Sequence, residues 1–238
     1  MGASRIVELG GHPWVMTSEI VDDPTMTLCG SVSAEELTQW PDDIGVSSRE
    51  YQIKTRQGNE ANFVNYSANI ERTLFDIDAE PDTVIACEIA EHLIRSPHIM
   101  FLNINHWLPV GGKLFVTTPN GAQFRNPFRR KPPWPAYRAS VYSRHSYLFS
   151  LSGLTELIEL CGFRIQEAGF WNVYRRSGRT KIYDLFAQLP GRYWDEKFKR
   201  TLFVVAEKVR DVRQLERVPL VYDARGNWEF IRQDASES

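Results

Sequence analysis

The sequence is poor in the features that would assign its class at a glance. It holds only three cysteines in 238 residues, Cys29, Cys87 and Cys161. They are odd in number and far apart, which excludes a disulfide framework or zinc cluster as the expectation and fits a reducing, cytoplasmic setting. No apolar run approaches the roughly 18 residues of a membrane span. Charge of one sign is not in excess: at a net −2 there is no global field to draw the chain to DNA or to anionic lipid. Internal repeats and low-complexity tracts are absent. Met1-Gly2-Ala3-Ser4-Arg5 leads straight into an apolar run without a signal-peptide layout, so no leader is expected. Any lid from that side would come from a partner or a second copy of the chain.

One absence is local. No Asp or Glu occurs between Glu91 and Glu156. Inside that gap stand Arg125, Arg129, Arg130, Lys131, Arg138 and Arg144, interleaved with Phe124, Phe128, Trp134, Tyr137 and Tyr142. Arginines suit phosphate or carboxylate, and aromatic faces suit sugars or bases. The stretch 124–147 reads as a long loop that selects an anionic acceptor, or as a solvated basic loop.

What is present is an alternation of short apolar runs with amphipathic stretches, the pattern of βαβ units and a mostly parallel sheet. Strands are expected over 5–9, 26–29, 62–67, 83–87, 113–118, 163–170 and 201–207, with a short accessory strand at 51–54. Helices are expected over 34–40 behind Ser33, over 90–107, over 154–160 behind Ser152, and over 183–188. Residues 1–208 form one domain in this reading, and 209–238 a peripheral charged tail. In such folds ligands lie beyond the carboxyl ends of the strands. Three strand ends carry chemistry there: Glu8-Leu9-Gly10-Gly11, Cys87-Glu88, and Thr117-Thr118-Pro119-Asn120 after a Pro109-Val110-Gly111-Gly112 turn. Glycine lets backbone and ligand approach closely, and a carboxylate at a strand end can take up an amino group.

Three blocks in order, DTVIACEIAEHL (82–93), LPVGGKLFVTTPNG (108–121) and SRHSYLFSLSGLTELIELCGFRI (143–165), resemble the class I S-adenosylmethionine-dependent methyltransferases, over residues 5–208. The resemblance implies an α/β fold, a Rossmann-like three-layer sandwich with a seven-stranded sheet and an antiparallel last strand. It implies S-adenosylmethionine as cofactor. Glu8, Gly10 and Gly11 would begin the cofactor loop, with His12 touching the ligand through its backbone. Asn69 and Ile70 would flank adenine, and Cys87 and Glu88 would underlie the methionine portion. Two departures stand out. His12 and Trp14 occupy the second and third glycine positions, in an E-L-G-x-x-P-aromatic form to which Thr17 also conforms. At the end of the second strand, Cys29-Gly30-Ser31 lacks the acid that usually meets the ribose, leaving Ser31 as a weaker donor.

Glu88-Ile89-Ala90-Glu91-His92 forms an E-x-x-E-H run. On a helix, Glu88, Glu91 and His92 would share a face. With His145 they resemble the divalent-metal quartet of small-RNA ribose methyltransferases, and the oxygen-rich set suits Mg²⁺, Mn²⁺ or Fe²⁺. Alternatively the carboxylates cap a helix N-terminus without metal. Then His145 or His92, with Glu91 beside it, is the candidate general base. The expected function is methyl transfer to oxygen, rather than nitrogen, of a small-molecule or glycan-like acceptor. Metal-dependent 2′-O-methylation of RNA and a catalytically degenerate scaffold are the alternatives.

Overall fold

The computed structural model describes residues 4–10, 15–33, 46–71, 74–93, 97–122, 147–171, 188, 190–215, 221–222 and 228–229. Eight strands form one sheet: β1 (Ser4–Leu9), β2 (Met26–Ser33), β3 (Ser47–Lys54), β4 (Glu60–Ser67), β5 (Thr83–Cys87), β6 (Lys113–Pro119), β7 (Phe163–Trp171) and β8 (Thr201–Lys208). Their order is β3-β4-β2-β1-β5-β6-β8-β7. Strand β8 runs antiparallel between β6 and β7, and β3 is added antiparallel at the far edge against β4. This is the expected mostly parallel sheet with an antiparallel last strand, widened by one edge strand. The accessory strand foreseen at 51–54 is the end of β3. Two further short strands, β9 (Val221–Tyr222) and β10 (Trp228–Glu229), pair antiparallel with each other in a separate two-stranded sheet.

The sheet buries one face more deeply than the other. Alternate residues of a strand point to opposite sides, so Val7, Leu9, Val84, Ala86, Leu114, Val116, Leu202 and Val204 form one apolar floor. On it lie α2 (His98–Trp107) and α3 (Leu151–Leu160), which contribute Met100, Phe101, Ile104, Leu154 and Ile158. On the other face α1 (Val15–Asp22) sets Ile20 against Ile6, Leu28, Phe63 and Ile85. Helix α1 has no counterpart among the expected elements. Its VMTSEIVD sequence mixes β-branched and small polar residues, which are indifferent helix formers, so its stability comes from packing.

Several expected boundaries move. The helix foreseen over 90–107 is a single 3₁₀ turn, Ala90–His92, then Leu93 in extended conformation, and α2 beginning only after Pro97. Proline lacks an N–H and disfavours helical conformation in the residue before it, so the two pieces cannot fuse. Helix α3 is capped by Ser150, which accepts from the Gly153 N–H at 3.1 Å, and so begins at Leu151, three residues before the start expected at 154. Strand β2 runs on to Ser33, past a register shift between Ile6 and Val7 on its neighbour β1. The helices foreseen at 34–40 and 183–188 lie outside the described residues.

Helix α2 is buried almost all round, and its polar residues clamp irregular chain. Asn103 accepts from the Phe75 N–H at 3.0 Å. Asn105 donates to the carbonyls of Cys161 and Arg210 and accepts from the Val212 N–H. The Lys208 ammonium, 2% exposed, donates to the carbonyls of Asn105 and Leu108 at 2.6 and 2.7 Å and pairs with Asp211. It closes the carbonyl end of α2 where a helix leaves acceptors unsatisfied. These bonds and the buried Leu215 hold residues 209–215 on the body, so the chain packs beyond the boundary expected at 208.

Candidate functional site

The chain leaves β1 for β2 on one side and returns to β5 on the other, so the topological switch point lies between β1 and β5. Three of the expected site residues stand there. Gly10 follows β1 with φ +71° and donates its N–H to the Val32 carbonyl at 2.7 Å. A Cβ at Gly10 would run into Ile89 Cδ1, so the close approach this glycine allows is made by the side chain that follows β5. Glu88 closes β5 with φ +54°, a left-handed conformation that costs a non-glycine residue energy and clusters at functional sites. Its backbone N–H donates to the Thr117 carbonyl, and its carboxylate accepts from Thr117 Oγ1 at 3.1 Å. Cys87 lies half-buried beside it. Burial, helped by the charges of Glu8, Glu88 and Glu91, pushes its thiol up to about 11, so it stays protonated and a poor nucleophile.

Glu8 is 4% exposed, and its carboxylate accepts a hydrogen bond from Thr17 of α1. Burial raises its pKa, and the Thr17 bond opposes that. Strand register places Glu8 beside Ser31 and Ser31 beside Asn65, which makes a polar row beneath α1 across β1, β2 and β4. Ser31 is wholly buried and its Oγ has no partner; the Asn65 Oδ1 likewise has none. Asn65 Nδ2 donates to Ser33 Oγ, which lies 3.2 Å from Ser67 Oγ. Asn65 escaped the sequence reading. In the β4 sequence EANFVNYS it alternates with Phe63, which was its only signal.

The E-x-x-E-H run does not converge as a helical face. Glu91 is 1% exposed, and its Oε2 accepts from Thr118 Oγ1 at 3.0 Å. Burial, with the nearby Glu88 charge, pushes its carboxyl up to about 8. Its Oε1 has no hydrogen-bond partner and lies 3.8 Å from His92 Nε2. Thr117 and Thr118 are consecutive residues of β6 and point to opposite faces, so Glu88 and Glu91 hang from opposite sides of the sheet. Among the described residues no group of three or more His, Cys, Asp or Glu is placed to hold a metal ion. The Glu88–Glu91–His92 metal set therefore does not fit here. His145, its expected fourth member, lies outside the described residues, as do Gly11, His12 and the acceptor-side stretch 123–146.

The pair assigned to adenine is divided. Asn69 is half-buried and accepts from the Glu71 N–H in a local turn, while Ile70 is 2% exposed inside the main core. Asn120, expected only as the end of a strand, donates to the carbonyls of Glu196 and Lys199. It thereby caps helix α4 (Arg192–Phe198) and ties it to the β6 end. No helix among the described residues is long and apolar enough to cross a membrane.

No known family model matches this chain, and no curated protein is similar to it in sequence. Solved structures are similar in fold. An S-adenosylmethionine-dependent methyltransferase from Mesorhizobium loti matches with a TM-score of 0.51 at 14% identity, over 87% of this chain and 92% of its own. A chain from the Haloferax volcanii complex between the Trm112 methyltransferase activator and a candidate methyltransferase matches with a TM-score of 0.52 at 13% identity, over 88% of this chain and 84% of its own. The [4+2]-cyclase SpnF matches with a TM-score of 0.50 at 13% identity, over 87% of this chain and 75% of its own. The fold is thus the Rossmann-like α/β fold of S-adenosylmethionine-dependent methyltransferases.

Proposed function

We propose that the chain transfers a methyl group from S-adenosylmethionine to an oxygen of a small-molecule or glycan-like acceptor. The observation that carries this reading is the switch point. A glycine in left-handed conformation, a strained Glu88 and the unpartnered Ser31 Oγ stand at or beneath the carboxyl ends of β1, β5 and β2. A ligand binds at such an edge in open α/β sheets. The bound cofactor would supply an activated methyl group on its sulfonium. Glu88 offers a carboxylate toward its amino group, and Ser31, wholly buried, lies beneath the site beside Glu8. Glu8 serves by holding α1 through Thr17. Proximity and alignment do most of the remaining catalysis. His92, whose Nε2 lies 3.8 Å from the Glu91 carboxyl, takes the acceptor proton. No step is routed through a metal.

A second reading is a scaffold of the same fold without methyl transfer. The fold is shared by a cyclase, and Glu8 is engaged by Thr17 of α1. Thermal unfolding with S-adenosylmethionine, S-adenosylhomocysteine and NAD tests both readings. At 100 times its Kd, a bound ligand adds about 2.7 kcal/mol of stability. Stabilisation by the first two alone, followed by transfer of labelled methyl to a sugar or phenol panel, supports the enzyme. Binding without transfer favours the scaffold, and no stabilisation by either overturns both the cofactor and the enzyme.

A further inference from the structure

Arg200 is placed at the same carboxyl edge and is unused by anything above. Its backbone joins two strand ends: the N–H donates to the Trp171 carbonyl of β7 at 3.2 Å, and its own carbonyl accepts from the Asn120 N–H at 2.6 Å. The adjoining Asn120 side chain holds the last turn of α4, so the backbone at Arg200 is fixed on both sides. Its side chain is half-buried, and its Nη2 is fully buried with no hydrogen-bond partner. The neighbouring Lys199 takes Asp195 at 2.7 Å, while among the described residues no carboxylate pairs with Arg200.

A guanidinium does not lose its charge near neutral pH, and a buried N–H left without a partner is costly. A buried polar group left without a partner calls for an ion, a ligand or a water. The nearby Asp195 carboxylate is already taken by Lys199. We propose that Arg200 is an oxyanion-reading residue at the acceptor side of the sheet, and that Nη2 donates to a phosphate or carboxylate oxygen of the molecule that binds there. The charge of that group gives the half-buried guanidinium a charge-assisted partner, on a backbone already held on both sides. Calling that molecule the methyl acceptor rests on the function proposed above; the oxyanion site itself does not.

Calorimetric titration of the full chain with inorganic phosphate, and separately with acetate, at constant ionic strength tests this. Saturable phosphate or acetate binding is expected in the wild type, and which of the two binds tighter names the oxyanion. Arg200→Met should bind about tenfold weaker, the loss of one charge-assisted hydrogen bond. Arg200→Lys, which keeps the charge but not the planar fork, should fall between and decides the matter where the methionine variant does not fold. Equal anion affinity in wild type and variant, or none in the wild type, overturns the proposal. S-adenosylhomocysteine should bind wild type and Arg200→Met alike. Its failure to bind either would remove the methyl-transfer reading and leave the anion site standing.

Discussion

Gly10, Thr17 and Glu91 carry the most local information, and each makes a separate prediction. At Gly10 the left-handed backbone and the Ile89 side chain both resist a Cβ. Gly10→Ala should cost about 1–3 kcal/mol. Ile89→Ala in the same chain should return only the share due to crowding, as read by urea unfolding. Thr17 donates the hydrogen bond that Glu8 accepts in the interior. Thr17→Val should destabilise by about 1–3 kcal/mol, and Thr17→Ser by much less, because a buried acceptor left unpaired pays its full desolvation. Glu91 has its carboxyl pKa raised from 4.5 to about 8, so between those values the folded state binds more protons than the unfolded one. Stability from this group is therefore full at low pH and is lost as pH rises toward 8. Glu91→Gln should flatten the fall in melting temperature over that range; an unchanged slope would assign the fall to other groups.

Among the elements, α2 is the one through which irregular chain is held. Lys208 lies on β8, yet its ammonium closes the carbonyl end of α2. Lys208→Met removes two charge-assisted bonds from buried carbonyls and should cost about 2–4 kcal/mol. Faster hydrogen exchange at the last turn of α2 and at residues 209–215, with β1 and β5 unaffected, would locate the effect. The strands were legible in the sequence because TVIAC and KLFVTT are apolar runs bounded by turn residues. Helix α1 was not legible, because VMTSEIVD is carried by packing on Ile6 and Phe63 rather than by propensity. The break after His92 was written in Pro97, yet the apolar period running through it suggested a single helix.

The whole molecule divides at the switch point into a β1-β2-β4-β3 half and a β5-β6-β8-β7 half. A cofactor bound at that seam should slow hydrogen exchange at the carboxyl ends of β1, β2 and β5. It should leave the β7–β8 pairing unchanged, and uniform protection across the sheet would argue for binding elsewhere. The order of apolar runs was enough to reach the mostly parallel sheet, because local periodicity and chain order are carried in full by a sequence. The antiparallel last strand was implied by the resemblance of the ordered motif blocks, and the sheet bears it out. Whether Glu8 faces a ligand or Thr17, whether Glu88 and Glu91 share a face, and whether Arg200 finds a counter-charge depend on which residues distant in the chain meet across strands. Register and packing decide that, and so it is Thr17 of α1, nine residues on, that gives the Glu8 carboxylate its partner.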